Sequence, residues 1–364
     1  MPGRPPVQRQ RLHRRLRDLL AEGVWAPGAI LPAERDLAQR LGASRSALRQ
    51  VLAACADLER LPQRGWRRRP MATVAVGPVL HLRSIEGPSD QALGRGLGET
   101  LEPLGGTVIN LRHPRPRDDD GGPGAEVRTR LVEVRSLVAF TEYGLPPAWV
   151  EACRAAGVAP VCVGANQQLG YDAVCADFAA MSRDLVRAIH GKGHRHIAFC
   201  GVRRLHRENP AFRARVTGYE LAMADLGLHR EVAYFADDFE RHHGVESEVA
   251  RWLKQCDAQG RRPTCLYVSG SRMVARMATV LHRLGLRVPH DLSLAGFGVS
   301  PDVLHGERRL FDRFLHVDEP WTAIGRAIGA RLIARAHGVI DPVVTLVPSA
   351  VADGDSVVTL KESP

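Results

Sequence analysis

Residues 31–49 read Leu31-Pro-Ala-Glu-Arg-Asp-Leu-Ala-Gln-Arg-Leu-Gly-Ala-Ser-Arg-Ser-Ala-Leu-Arg49. Pro32 stands where a helix start tolerates proline, just ahead of the helical run 33–41, and Gly42 breaks that run after roughly two and a half turns. Ser44 is a good N-cap for the next helix, Arg45 to about Leu58. Leu48, Val51, Leu52 and Cys55 fall on one side of it; Arg45, Ser46, Arg49 and Gln50 fall on the other. A short helix, a glycine turn and a capped helix with polar side chains near its start is a helix-turn-helix pattern. Such a helix fits the major groove of duplex DNA, where arginine can pair with guanine and serine with a base or phosphate.

Outward from this core the reading is the same. Upstream, Leu12, Leu16, Leu19 and Leu20 form one apolar stripe on a helix whose other faces carry Arg9, Arg11, Arg14, Arg15 and Arg17. Downstream, Arg64-Gly65-Trp66-Arg67-Arg68-Arg69 supplies a basic loop suited to phosphate or the minor groove.

Charge divides the 364-residue chain in two. Residues 1–70 hold 15 Arg and 6 acidic residues, giving +9, whereas residues 71–364 hold 35 basic and 34 acidic residues, giving +1. A small basic unit on a large neutral one points to an anionic polymer as partner of the small end. No apolar run is long enough to span a bilayer, and the arginine-rich start has no signal-peptide core, so a soluble, cytoplasmic protein is expected. Seven scattered cysteines without a CxxC pair suggest buried, reduced thiols, with neither a zinc site nor a disulfide framework.

From Thr73 onward, short Val/Ala/Leu runs alternate with helical stretches. Strands are expected at 73–80, 107–111, 136–141, 159–164, 196–201, 264–268 and 292–297. Apolar-periodic helices are expected between them, for example at 180–189, 212–226, 246–256 and 273–284. This rhythm predicts a doubly wound α/β architecture with parallel sheets. Residues 112–124, with Asp118-Asp-Asp120, read as a polar loop. No phosphate loop, nucleophile elbow or zinc helix occurs, and His194, His196, His242 and His243 lack partners at ligand spacing. No catalytic residue, metal or cofactor is expected.

The stretch 31–49 resembles the winged-helix DNA-binding domain of GntR-type bacterial regulators, with its Leu-Pro-x-Glu-Arg-x-Leu-Ala segment followed by Ser-Arg and x-x-Arg. The resemblance implies operator contacts from Arg35 near the backbone and from Arg45 and Arg49 on the recognition helix, with Ser44 and Ser46 beside them and Arg64 and Gly65 on the wing. The wing departs from the family's pattern: a Gly-Arg-Gly tip is replaced by Gln63-Arg-Gly-Trp66.

A second resemblance covers about 72–362. Val174-Cys-Ala-Asp177, Gly193-His-Arg-His-Ile-Ala-Phe-Cys-Gly201, Arg213-Ala-Arg-Val-Thr-Gly-Tyr219, Leu284-Gly-Leu-Arg-Val-Pro-His-Asp-Leu-Ser-Leu-Ala-Gly-Phe297 and Val317-Asp-Glu-Pro320 followed by Ile324-Gly325 look like successive landmarks of the LacI-type sensor domain, itself similar to periplasmic sugar-binding proteins. The fusion is similar to the arabinose-repressor arrangement. The implied fold is multidomain: a winged helix-turn-helix over 1–70, and a two-lobed α/β sensor over 71–364. Its first lobe is expected at about 72–177 and 300–325, its second at 178–299 and 326–364. The resemblance puts Arg215 in contact with a ligand, Phe239 stacked on it and Asp177 at an acidic position that suits an N-cap equally well. Ser271 and Gly298 stand where the family carries aspartates, and Arg272 beside Ser271 favours an acidic ligand.

The expected function is a DNA-binding transcription regulator, a repressor acting as a homodimer on a double-stranded operator. Its effector would be a small molecule, a sugar or sugar acid, bound between the lobes. Two readings stay beside it: a regulator whose sensor no longer binds a ligand, and an α/β enzyme tethered to a DNA-binding domain.

Overall fold

The computed structural model describes residues 12–13, 15–16, 19–20, 25, 29–55, 58–62, 65–68, 76–83, 88–114, 116, 121–141, 143–164, 167, 169–236, 244–298 and 313–360. The chain divides into two compact units, 1–74 and 75–364. Phe239, Arg64 and the acidic triplet 118–120 lie outside the described residues.

In the first unit, helix α1 (Glu34–Leu41) ends at Gly42, whose φ of 61° is the left-handed conformation that glycine adopts without strain. Ser44 opens α2 (Arg45–Ala54), its hydroxyl accepting the Ala47 N–H at 3.3 Å. Leu37, Ala38 and Leu41 of α1 and Leu48, Val51 and Leu52 of α2 share one core with Leu12, Leu16 and Leu20. The apolar stripes therefore close on one another, and this burial holds a unit of about 60 residues together. The second helix stops four residues short of the expected Leu58. Leu58 instead begins strand β1 (Leu58–Leu61), which pairs antiparallel with β2 (Gly65–Arg68) to form the wing. The extended backbone lets Leu58 and Trp66 both reach the helical core.

The second unit holds two six-stranded sheets. The first runs in the order β13 (Val344–Val347), β7 (Asp172–Ala176), β6 (Ala159–Val163), β5 (Ser136–Phe140), β3 (Val79–Arg83) and β4 (Val108–Arg112), all parallel. The second runs β14 (Val351–Ala352), β12 (His316–Val317), β11 (Ser293–Phe297), β10 (Cys265–Val268), β8 (Ile197–Val202) and β9 (Glu231–Phe235), parallel except for the β12–β14 edge. Nearly every residue of the central strands is buried, as expected of sheets covered on both faces.

Three details differ from the sequence expectation. The first described strand of this unit is Val79–Arg83, against an expectation of 73–80, of which 73–75 lie outside the described residues. Strands β7 and β9 join the sheets although their short runs gave no separate signal. The lobes also exchange their late segments. His316–Val317 belongs to the second sheet, where it extends the buried row beyond β11. Helix α11 (Trp321–Ala336) and β13 belong to the first, where α11 packs on α3 (Pro88–Leu101) and β13 pairs with β7. The expected division is therefore corrected among the described residues: 313–317 join the second lobe and 326–347 the first, while 321–325 and 351–352 lie in the lobes expected for them. The chain crosses between lobes after β7, after β12 and after β13.

Glycines make the α3–α11 contact possible. A Cβ at Gly96 would lie 2.0 Å from the Thr322 carbonyl oxygen, and one at Gly325 would lie 2.1 Å from that of Leu93. The two backbones meet with no side chain between them. Further along α11, Arg331 and Arg335 donate to Asp172 at 2.8 Å each, which pins the helix to β7 through a fully buried carboxylate.

Candidate functional site

Two sites follow, one in each unit. In the first, Ser44, Arg45, Ser46 and Arg49 lie on the exposed face of α2, opposite its buried leucines, and Arg35 lies exposed on α1. Arg35 leans on its neighbour Asp36 at 3.2 Å, and the Ser44 and Ser46 hydroxyls stand 3.3 Å apart. Arg49 is more constrained. Its Nε and Nη2 donate to Oε2 of Glu34 at 3.0 and 2.6 Å, while Trp66 donates its indole N–H to Oε1 of the same carboxylate at 3.1 Å. These hydrogen bonds, Arg49 first, hold the Glu34 carboxyl below its usual pKa. Gly65 sits on the wing with φ 84° and no neighbour crowding it.

In the second unit a cavity of about 430 Å³ opens between the two sheets, where the strand ends meet the helix starts. From the first lobe come Asp90 at the start of α3, Phe140 at the end of β5 and Trp321 at the start of α11. From the second come Phe178 at the start of α6 (Phe178–Gly191), Asn209, Phe212 and Arg215 of the loop and first turns of α8 (Pro210–Asp225), and Ser271 and Arg272 opening α10 (Ser271–Arg283).

Arg215 anchors this cavity. Its side chain is 7% exposed. Nη1 donates to the Ser269 carbonyl oxygen at 2.6 Å and Nη2 to Glu319 Oε1 at 2.8 Å. Its guanidinium carbon lies 4.1, 4.6 and 4.7 Å from the ring centres of Phe297, Phe212 and Phe178. The cation is thus set among aromatic faces with a carboxylate at its outer edge, an arrangement that stabilises charge in a partly dry site.

The structure brings together Arg215, Ser271 and Arg272 of the residues expected from sequence. Asp177 is not among the cavity's walls; its carboxylate caps α6 by accepting the Ala180 N–H at 3.0 Å. Ser271 and Gly298 do face one another, since a Cβ on Gly298 would lie 3.2 Å from that of Ser271. Glu319, Asp90, Trp321 and Asn209 were missed. Glu319 lies within the Val317-Asp-Glu-Pro320 landmark, but only the crossover after β12 sets it against Arg215. Among the described residues no cluster of His, Cys, Asp or Glu is placed to hold a metal ion, and no helix is long and apolar enough to cross a membrane.

Residues 8–67 match the family of bacterial regulatory proteins named gntR, and residues 186–357 match the periplasmic binding protein-like domain. The chain joins a gntR-family regulatory domain to a periplasmic binding protein-like domain. The HTH-type transcriptional regulator GntR of Escherichia coli K12 is 29% identical over 162 residues, covering 43% of this chain and 44% of that protein. An uncharacterised HTH-type transcriptional regulator of Mycobacterium tuberculosis is 38% identical over 102 residues, covering 27% and 38%. The chain thus spans less than half the length of each of these relatives. Among solved structures, the LacI family regulator CCPA of Weissella paramesenteroides with bound sucrose has a TM-score of 0.59 at 18% identity, covering 78% of this chain and all of that one. A LacI family regulator of Enterococcus faecium with bound ribose has a TM-score of 0.57 at 15% identity, with the same coverage. These likenesses confirm the fold of the periplasmic binding protein-like domain.

Proposed function

We propose that this protein is a transcription regulator, not an enzyme, whose gntR-family domain reads duplex DNA and whose periplasmic binding protein-like domain binds a neutral polyhydroxylated molecule in the interlobe cavity. The observation that carries the reading is the cavity itself, on the same chain as a capped helix with Arg45 and Arg49 exposed. Ring faces of Phe140, Phe212 and Trp321 suit the C–H faces of a sugar, and Asp90, Asn209, Ser271 and Glu319 supply groups that bond hydroxyls.

Charge argues for a neutral ligand over the sugar acid considered from sequence. Two guanidiniums and two carboxylates line the cavity, and Arg215 already holds Glu319. A carboxylate ligand aimed at Arg215 would have to compete with Glu319, which already accepts its Nη2 at 2.8 Å. The bound sucrose and ribose of the structural neighbours agree with this class.

A single winged helix reads one half-site. We therefore place the working form as a homodimer spanning two half-sites about 34 Å apart, one DNA turn. Ligand closure of the lobes would shift its population between DNA-binding and released arrangements. Repression is the expected sign.

The reading is tested with the full chain. In a melting screen, neutral sugars should raise Tm and the matching sugar acids should not. A mobility-shift series on a selected duplex should show affinity falling steeply with salt, as phosphate neutralisation requires. Salt-insensitive binding, or a Tm raised only by acids, would overturn the assignment.

A further inference from the structure

Three elements of the gntR-family domain converge on one carboxylate. Glu34 opens α1, Arg49 comes from the middle of α2, and Trp66 comes from the wing strand β2. Glu34 accepts Arg49 Nε and Nη2 on Oε2 and the Trp66 indole N–H on Oε1. The Glu34 side chain is 17% exposed and the Trp66 ring belongs to the buried core, whereas the Arg49 side chain is 55% exposed. A pair this open to solvent adds little to stability. Its geometric effect is larger: it fixes the direction of a long, flexible side chain. Five N–H donors belong to a guanidinium, and the pair engages Nε and Nη2, leaving those of Nη1 for a second partner.

We infer that Trp66, acting through Glu34, is a positioning residue for Arg49, so that the wing sets which base the recognition helix selects. The inference rests on the proposed DNA-binding function. Trp66 also stands where the resemblance has a β-branched strand after its Gly-Arg-Gly tip, so this coupling belongs to this chain's own wing. The strand is held for the task. The Leu31 N–H donates to the Trp66 carbonyl at 2.8 Å, and Arg67 of the same strand donates to Glu59 of β1 at 2.6 Å, fixing the indole's origin on both sides. Loss of the indole N–H leaves Glu34 Oε1 with only the long 3.4 Å contact from Arg49 Nε, so that nothing buried holds the carboxylate and it can rotate with Arg49.

The test is selection from a pool of randomised DNA duplexes by the full-length protein, followed by affinity measurement on the winners. Trp66→Phe keeps an aromatic ring in the core and removes only the donor. At the base positions where Arg49→Ala loses all preference, it should weaken discrimination roughly tenfold, the scale of one good base contact. The salt slope should stay unchanged, because no phosphate contact is removed. Glu34→Gln should reproduce the loss and serves as the test should Trp66→Phe fail to fold. In an Arg49→Ala background, Trp66→Phe should change nothing further. Uniform weakening on all duplexes, or altered base preference in that background, overturns the inference. If the unaltered protein selects no duplex, the DNA-binding reading itself fails, and the inference with it.

Discussion

Arg215 is the residue on which the sensor unit turns, and its task is wider than ligand contact. Its guanidinium ties the end of β10, through Ser269, to the crossover that carries Glu319, and three rings enclose it. Removing it strands a partly buried carboxylate and opens a hole among the rings. Arg215→Ala should therefore destabilise this unit by about 3 kcal/mol, at the low end for a broken buried pair because Glu319 retains some access to water. Chemical denaturation of the full chain, followed through the second unit, measures it; a loss below about 1 kcal/mol would mean that Glu319 finds water instead. Ser271→Ala is the milder probe of ligand contact, since Ser271 makes no cap for α10. The sequence announced Arg215 by its place in Arg213-Ala-Arg-Val-Thr-Gly-Tyr219. It could not announce Glu319, which is 104 residues away and reaches Arg215 only after the chain has crossed back between lobes.

Among the elements, the α3–α11 pair separates glycines that packing requires from those it does not. Gly325→Ala would drive a methyl group into the Leu93 carbonyl and should cost about 1–3 kcal/mol or more, because both backbones must part. Gly94 lies in the same helix with its nearest neighbour, His81 Nδ1, 3.8 Å from a built Cβ. Gly94→Ala should be tolerated and stabilise by up to about 1 kcal/mol through helix propensity. Opposite signs in paired melting curves check the contrast. The elements themselves were largely legible. Periodicity located the strands at 107–111, 136–141, 159–164, 196–201, 264–268 and 292–297 and the helices at 180–189, 212–226, 246–256 and 273–284 to within a few residues, because each buries a continuous apolar face. What stayed unnamed were α3 and α11, whose glycines interrupt the apolar face where their backbones meet, and pieces too short to carry a pattern. His316–Val317 has two residues, and its sheet membership depends on β11 beside it. Among the described residues the lobe assignment is thereby changed for 313–317 and for 326–347. The end of α2 was misplaced for a related reason: Leu58 fits the helical stripe, yet the wing pairing takes it.

For the whole molecule, pH provides a measure of how the second unit is held. His81, buried on β3 and facing Asn110 Oδ1 at 3.0 Å, and His194, whose ring bonds Thr264 Oγ1 at 2.9 Å and the Val358 carbonyl oxygen at 3.0 Å, both have pKa values lowered by burial. Each takes up a proton more readily when unfolded. The stability tied to their neutral forms is complete above the unfolded value of about 6.5 and is lost as pH falls below it. Tm of the second unit should drop between pH 7.5 and 5.5, before most carboxylates titrate; a flat profile over that range would contradict the assignment. Two units with separate cores should also answer different ligands: duplex DNA raises the melting of the first and a sugar that of the second.

All seven cysteines are buried and none is disulfide-bonded. Burial pushes the thiols of Cys153 and Cys256 up to about 11 and that of Cys175 to about 12, and raises those of Cys200 and Cys265 well above the usual thiol range. A thiol in that state is neither a thiolate nor within reach of a reagent. Alkylation of the native protein must then wait for the structure to open, and the order in which the cysteines react reads out the order in which its parts come undone. Cys55 times the opening of the DNA-reading unit, Cys153 and Cys175 that of one lobe, and Cys200, Cys256 and Cys265 that of the other. The molecule thus carries internal clocks for each of its parts, and those five raised thiols offer an oxidant no native thiolate on which to act.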